Sequence, residues 1–472
     1  MFNNLMPKRL TFFWAFFAGT ITFGESTTNR TLLRVFHRGV PLDIRHIPKM
    51  MTQTLAASDG MMESLSQDDH DCERCFAQDD MVYDLKAIGI QIVDSKCPVG
   101  HKQILNYLRK AKNMLSIDFD CEPDSRVTLH PTLAADMATC TGGNSVLGTN
   151  DPGSSCQPNL ELIHLGAAWE AARSAGRKLK DVVLAISDTG VDMTHPDLVN
   201  QFWRNPADNS IGYNFITNSI DVTDRHSHGT HCAGNAAAQT NNNIGIAGVA
   251  NIDGSVPSVK LMILKMLDDT GGGYTSDIAR AINFAVENGA AFSSHSYRWF
   301  DDNEIMRAAF RNAAAAGHMA VTAAGNEMAN LDGWPTFPCT YAIEIPSMLC
   351  VAATTSDPTE DVTMAPFSSA GSATKVAAPG VDVYSTFPGG SYSYMSGTSM
   401  STPTTAGVAA LLGTLGLESQ EIADTLIKSR TDGLPNWRGV SDIGMIDAFK
   451  AVQAALGSPA TRLRKNIQSS SR

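Results

Sequence analysis

Three runs of this chain carry side chains suited to nucleophilic chemistry: VLAISDTGVDMTHPDL around Asp188, HSHGTHCAGNAAA around His228 and SGTSMSTPTTAGVAALL around Ser399. A serine hydroxyl is a poor nucleophile at neutral pH, so attack on a carbonyl needs an imidazole to take its proton. Ser399 lies among the small residues of Gly397-Thr398-Ser399-Met400, which let another molecule approach. The apolar stretch after it predicts a buried helix, whose N-terminal amides favour negative charge developing nearby. His228 is the candidate base, with Gly229 and Gly234 allowing close packing around its ring, while His231 reads as structural. Asp188 closes a predicted buried strand, where its carboxylate would hold the other ring nitrogen and select the useful tautomer. Asn326, in Ala323-Ala324-Gly325-Asn326, offers an amide to an oxyanion, together with the Ser399 backbone N–H.

Each residue alone has a plainer reading, Asp188 as a cap and Ser399 or Asn326 as a turn. Asp188-Thr189-Gly190 also suits an aspartic protease, a chemistry that works through a pair of such carboxylates. The order Asp, His, Ser, with small residues packed around each, resembles the subtilisin-type serine proteases. The resemblance runs from about residue 150 to 456 and implies an α/β fold with a mainly parallel sheet between helix layers. It implies a secreted endopeptidase acting on protein or peptide substrates through an acyl-enzyme. Gly271, Gly272 and Gly273, with Ser296, Tyr297 and Arg298, would be the two strands flanking a substrate, and Ala323, Ala324 and Gly325 would line its primary pocket. Arg298 departs from the family, which carries Gly there; its side chain would narrow the pocket or favour acidic substrate residues, unless it points to solvent. A structural calcium ion is implied on Asp151, Asp197, the Asn242 side chain and the carbonyls of Thr240, Ile244 and Ile246. Cys232 beside His231 would confer sensitivity to thiol reagents, and Met400 to oxidation. The rival reading is a catalytically silent relative that binds peptides, resting on Arg298 and on Ser401, Thr404 and Thr405 after the nucleophile.

Composition bounds the remainder. A net charge of -12 excludes a nucleic-acid partner, because phosphate binding needs a basic face. Lys8 and Arg9 precede an apolar stretch from Leu10 to Phe23, too short to span a bilayer, so residues 1–24 read as an export signal rather than a stable membrane anchor. Asn29-Arg30-Thr31 would then be a glycosylation acceptor. Nine cysteines fit an oxidising compartment and leave one over; Cys339 and Cys350 are a candidate bridge and Cys232 the natural leftover. Cys72 and Cys75 have zinc or redox spacing without a second pair nearby.

Before the catalytic region, periodicity predicts strands over Thr31–Phe36 and Ile88–Val93 and a helix over His101–Leu115, followed by a final strand over Ser116–Val127. With Glu122-Pro123-Asp124, this resembles the small α+β, ferredoxin-like propeptide of the same zymogens. Residues 25–145 would be that propeptide with its linker, acting as an intramolecular inhibitor, 146–456 the peptidase domain of a monomer, and 457–472 a polar tail. The segment from Pro131 to Cys156 has linker composition. Strand Val182–Ser187 and a helix over Asp277–Asn288, capped by Ser276 and stopped by Gly289, are expected further on. No Lys or Arg lies between Arg126 and Arg173, so release near residues 130–150 cannot follow a basic residue.

Overall fold

The computed structural model describes residues 30–457 except 58–64, 79–80, 95, 98, 131–132, 136–139, 253–257 and 432. The expected export signal, Asn29 and the tail beyond residue 457 lie outside the described residues. Among the described residues, no helix is long and apolar enough to cross a membrane.

A parallel eight-stranded sheet organises the larger part of the molecule. Its order is Gly444–Met445, Thr374–Pro379, Leu349–Thr354, Met319–Ala323, Phe292–His295, Val182–Asp188, Val259–Lys265 and Gly212–Asn214. Its central strands are continuous apolar runs because helices cover both faces. Leu184 and Ile186 face one core, shared with helices Leu165–Ser174, His228–Ala237 and Thr398–Thr414. Ala185, between them in sequence, faces the other core, with Met262 and Leu264 against helices Thr275–Glu287 and Glu304–Ala315. Helix Thr398–Thr414 is buried along its whole length, which small residues make possible. A Cβ at Gly413 would come within 2.6 Å of the Phe292 ring.

The N-terminal region is an antiparallel sheet in which Thr31–His37 pairs with both Ile90–Val93 and Ile117–Pro123, and Val82–Leu85 extends the edge. Helices Ile47–Ala57, Gln67–Phe76 and His101–Leu115 complete an α+β, ferredoxin-like unit. The period-2 alternation of its strands serves two masters. Leu33, Val35 and Val93 meet Phe76, Ile104 and Leu108 of its own helices. Leu32, Ile90 and Ile92 pack instead into the core that holds Ile282 and Phe310 of the larger unit.

The expected strand over Ser116–Val127 is in fact two, Ile117–Pro123 and Arg126–Leu129, because Asp124 turns inward between them. Asp124 accepts from Thr275 Oγ1 at 3.0 Å, Ser276 N at 2.8 Å and Ser276 Oγ at 2.7 Å. It therefore caps helix Thr275–Glu287 from another part of the chain. Ser276 lies inside that first turn rather than capping it, and Gly289 follows the C-terminus at φ 74. The expected linker contains strand Leu133–Ala135 and the 3-10 turn Pro152–Cys156. Disulfides join Cys75 to Cys97, Cys140 to Cys156 and Cys339 to Cys350. Three cysteines stay reduced rather than one: Cys72, Cys121 and Cys232. With Cys75 bonded elsewhere, the Cys72–Cys75 spacing forms neither a zinc pair nor a dithiol.

Removing the Asp124 carboxylate strands the polar groups at that helix start. Asp124→Ala is expected to cost about 1–3 kcal/mol in urea unfolding of the full chain; an unchanged midpoint would show that the cap is dispensable.

Candidate active site

The candidate groups meet at the C-terminal ends of the central strands, where open α/β sheets place their clefts. Asp188 is the last residue of its strand, Ser296 follows strand Phe292–His295, and Asn326 follows Met319–Ala323. His228 begins helix His228–Ala237 and Ser399 lies in the first turn of Thr398–Thr414. These helices are locked side by side by Asn235, whose Nδ2 donates to Met400 O at 2.7 Å and Thr404 Oγ1 at 2.9 Å. Gly229 and Gly234 allow the approach: added Cβ atoms would lie 2.2 Å from Gly190 O and 2.1 Å from Thr386 Oγ1.

His228 Nδ1 donates to Asp188, 2.8 Å from Oδ1 and 3.0 Å from Oδ2, with both side chains buried. This leaves Nε2 as the basic nitrogen, without a hydrogen-bond partner among the described residues. Burial alone would depress the imidazole, but the Asp188 charge and hydrogen bond outweigh it and raise His228 well above its ordinary range. The Ser399 hydroxyl donates to Ser296 O at 3.3 Å, so the serine–histidine bond is not made in this state. Cys232 touches both sides, its Sγ 3.8 Å from His228 Nδ1 and 3.5 Å from Ser399 O. The Asn326 oxygen accepts from Thr398 N at 2.9 Å and Oγ1 at 2.8 Å, which ties the amide to the start of the serine helix.

Sequence reasoning missed Asp224, which braces the constellation. Its Oδ1 accepts from Thr189 Oγ1, His226 N and Ser227 N, and its Oδ2 from Thr230 N and Oγ1. Burial would raise this carboxyl, yet those hydrogen bonds win and lower it. Thr189 Oγ1 in turn accepts from Gly229 N at 2.9 Å, tying the aspartate loop to the histidine helix.

The cleft is filled by the chain itself. Strand Arg126–Leu129 runs antiparallel between Gly272–Tyr274 and Tyr297–Arg298, with Thr128 opposite both Gly272 and Arg298. Leu129 N donates to Gly271 O at 3.0 Å. Leu133–Ala135 then pairs with Ser391–Ser396, just before Ser399. Gly272–Tyr274 and Tyr297–Arg298 thus hold an extended backbone between them, as sheet edges hold an added strand.

A family model described as the subtilase family matches residues 179–442. Thermitase of Thermoactinomyces vulgaris is 35% identical over 305 residues, covering 64% of this chain and 99% of thermitase. The thermophilic serine proteinase of Bacillus sp. (strain AK1) is 36% identical over 60% of this chain and 64% of its own length. Subtilisin E of Bacillus subtilis (strain 168) is 37% identical over 51% of this chain and 58% of its own length. The chain belongs to the subtilase family. It is a serine peptidase of that family, and its substrates are peptides or proteins.

In this subtilase the segment expected to line a primary pocket meets His130, buried against Gly325, where an added Cβ would lie 3.3 Å from the ring. Arg298 does not point to solvent. Its Nη1 donates to Leu129 O at 3.0 Å and lies 3.3 Å from His130 Nδ1, and its Nη2 is 3.0 Å from Glu327 Oε1. The acidic preference expected of a lone arginine is thus countered by a carboxylate on the same wall. Burial would raise Glu327, but the Arg298 guanidinium 3.0 Å away lowers it. Neither His130 nor Glu327 carried a signal in the sequence beyond the adjacency of Glu327 to Asn326.

Of the residues expected at a calcium ion, Asp151, Asn242, Asp197 and Ile246 are joined by hydrogen bonds. Asp151 Oδ2 accepts from Asn241 N at 2.7 Å and its Oδ1 from Asn242 N at 2.9 Å. Asp197 Oδ2 accepts from Ile246 N at 2.8 Å and its Oδ1 from Asn242 Nδ2 at 2.8 Å. Both carboxylates are fully buried, and among the described residues no Lys or Arg pairs with either. Burial, reinforced by the Asp151 charge, pushes Asp197 up to about 7. Two uncompensated buried carboxylates beside an Asn-rich loop fit a hard cation, once the Asn242 carboxamide is turned to present its oxygen.

Asn326→Ala removes a candidate oxyanion donor while sparing the three other groups. It is expected to lower kcat about 10²–10³-fold with little change in KM; a loss confined to KM would place Asn326 in ground-state binding instead.

Proposed function

We propose that this subtilase is a secreted, calcium-stabilised endopeptidase made as a zymogen, with residues 1–24 an export signal, 25–145 the propeptide and its linker, 146–456 a monomeric catalytic domain and 457–472 a tail. The observation that carries the zymogen reading is strand Arg126–Leu129 lying between the two flanking strands as a substrate would. While that strand stays, other polypeptides are excluded; once the chain is cut and the propeptide leaves, the cleft opens.

In the open enzyme Ser399 Oγ attacks the carbonyl carbon of a bound peptide and passes its proton to His228 Nε2. Asp188 holds the ring through Nδ1 and stabilises the imidazolium. The oxyanion takes hydrogen bonds from Asn326 and the Ser399 N–H. Collapse breaks the C–N bond, the leaving amine takes the proton from His228, and water repeats the sequence to release the acid. Asp151, Asp197, Asn242 and the carbonyls of Thr240, Ile244 and Ile246 would hold a calcium ion, which would supply positive charge to two buried carboxylates.

A fluorophosphonate probe tests the catalytic assignment. The processed protein should be labelled and Ser399→Ala should not; labelling that survives Ser399→Ala, or none in processed wild type, would remove Ser399 from its role. Chelation tests the ion: it should lower the thermal midpoint of the wild-type protein and have little effect on Asp197→Asn, whereas equal shifts in both would move calcium elsewhere.

A further inference from the structure

The pocket that receives His130 is built unlike an apolar slot. One wall carries a guanidinium and the next a carboxylate, 3.0 Å apart, with Arg298 only 12% exposed and stacked 5.1 Å over the Phe300 ring. Arg298 Nε and His130 Nε2 are buried without a hydrogen-bond partner among the described residues. Backbone register places His130 next after Leu129, whose N–H meets Gly271, and before the crossing to Leu133–Ala135.

The two contacts of His130 Nδ1 cannot both be hydrogen bonds. Arg298 Nη1 is always a donor and lies 3.3 Å away, whereas Glu327 Oε1, an acceptor, is 3.8 Å away and beyond bonding range. Nδ1 is thus an acceptor, and the ring is neutral with its proton on Nε2. An apolar ring in this place would leave the Arg298 donor desolvated and unanswered. A carboxylate would be set against Glu327, and a second cation against Arg298. A site built to hydrogen-bond its occupant rejects isosteres lacking that group far more strongly than an apolar site does.

We propose that Arg298 and Glu327 are specificity-determining residues that make the primary pocket select a neutral histidine in the substrate. This rests on the peptidase reading above and narrows its substrate class to peptides cut after histidine. Pro131 follows His130 in the chain's own segment, so the substrates that test the preference carry a different leaving group.

The test uses peptidyl coumarin amides of sequence Arg-Val-Thr-Leu-X, with X histidine, phenylalanine, leucine, glutamate or arginine. The processed enzyme, with active sites counted by the fluorophosphonate, should show kcat/KM at least about tenfold higher for histidine than for the others. Arg298→Gly should erase that ratio and favour phenylalanine or leucine. A wild-type preference for an apolar or charged residue, or a ratio unmoved by Arg298→Gly, would overturn the proposal.

A second arm needs no turnover and so separates this proposal from the catalytic one. In the full-length Ser399→Ala chain, His130→Phe should lower the thermal midpoint by roughly 2–4 °C. The same change in an Arg298→Gly background should cost little. Equal effects in both backgrounds would show that the ring and the guanidinium are not matched.

Discussion

The structure depends on keeping an ionised carboxylate and an imidazole together in a dry interior. Asp188 and His228 are both buried, and such a pair holds only if its geometry is fixed and its remaining lone pairs are met. The surroundings supply this. Thr189 N donates to Asp188 Oδ1 at 2.7 Å, Asp224 knots the loop to the histidine helix, and glycines bring the elements into contact. The parallel sheet, the buried serine helix and the close helix pairing are the scaffold on which that pair can exist.

The chemistry was legible in the sequence because the same physical demand constrains many neighbours at once. A nucleophile at a buried helix start needs small residues around it, and an imidazole packed between elements needs glycine beside it, so whole runs carry the signal. The candidate triad and Asn326 were read from such runs and the two flanking segments from the family resemblance; in the structure those segments border strand Arg126–Leu129. Strand Val182–Ser187 and the Gly289 stop were legible for the same local reason.

What escaped the reading depends on long-range partners. Arg126–Leu129 has too few residues to show a period, and its identity as a strand comes from edges 140 and more residues away. Asp124 looks like a turn residue until helix Thr275–Glu287 stands beside it. Helices Ile47–Ala57 and Gln67–Phe76 were not anticipated either, the second because it is mostly charged and buries only one side. Cysteine pairing is likewise spatial: Cys72 and Cys75 are close in sequence, yet Cys75 finds Cys97.

The N-terminal unit is more than a plug. Its sheet shares the core over helices Thr275–Glu287 and Glu304–Ala315, its Asp124 caps one of them, and its next strand completes the cleft sheet. Core, cap and strand lie in that order along one short stretch of chain, so docking of the sheet and filling of the cleft are mechanically joined. The most direct measurement of the central claim is the titration of His228 by NMR in the full-length, uncut Ser399→Ala protein. The account predicts a ring that stays protonated above the ordinary imidazole range and falls when Asp188 is changed to Asn. A ring titrating at or below that range, and indifferent to Asp188, would contradict it.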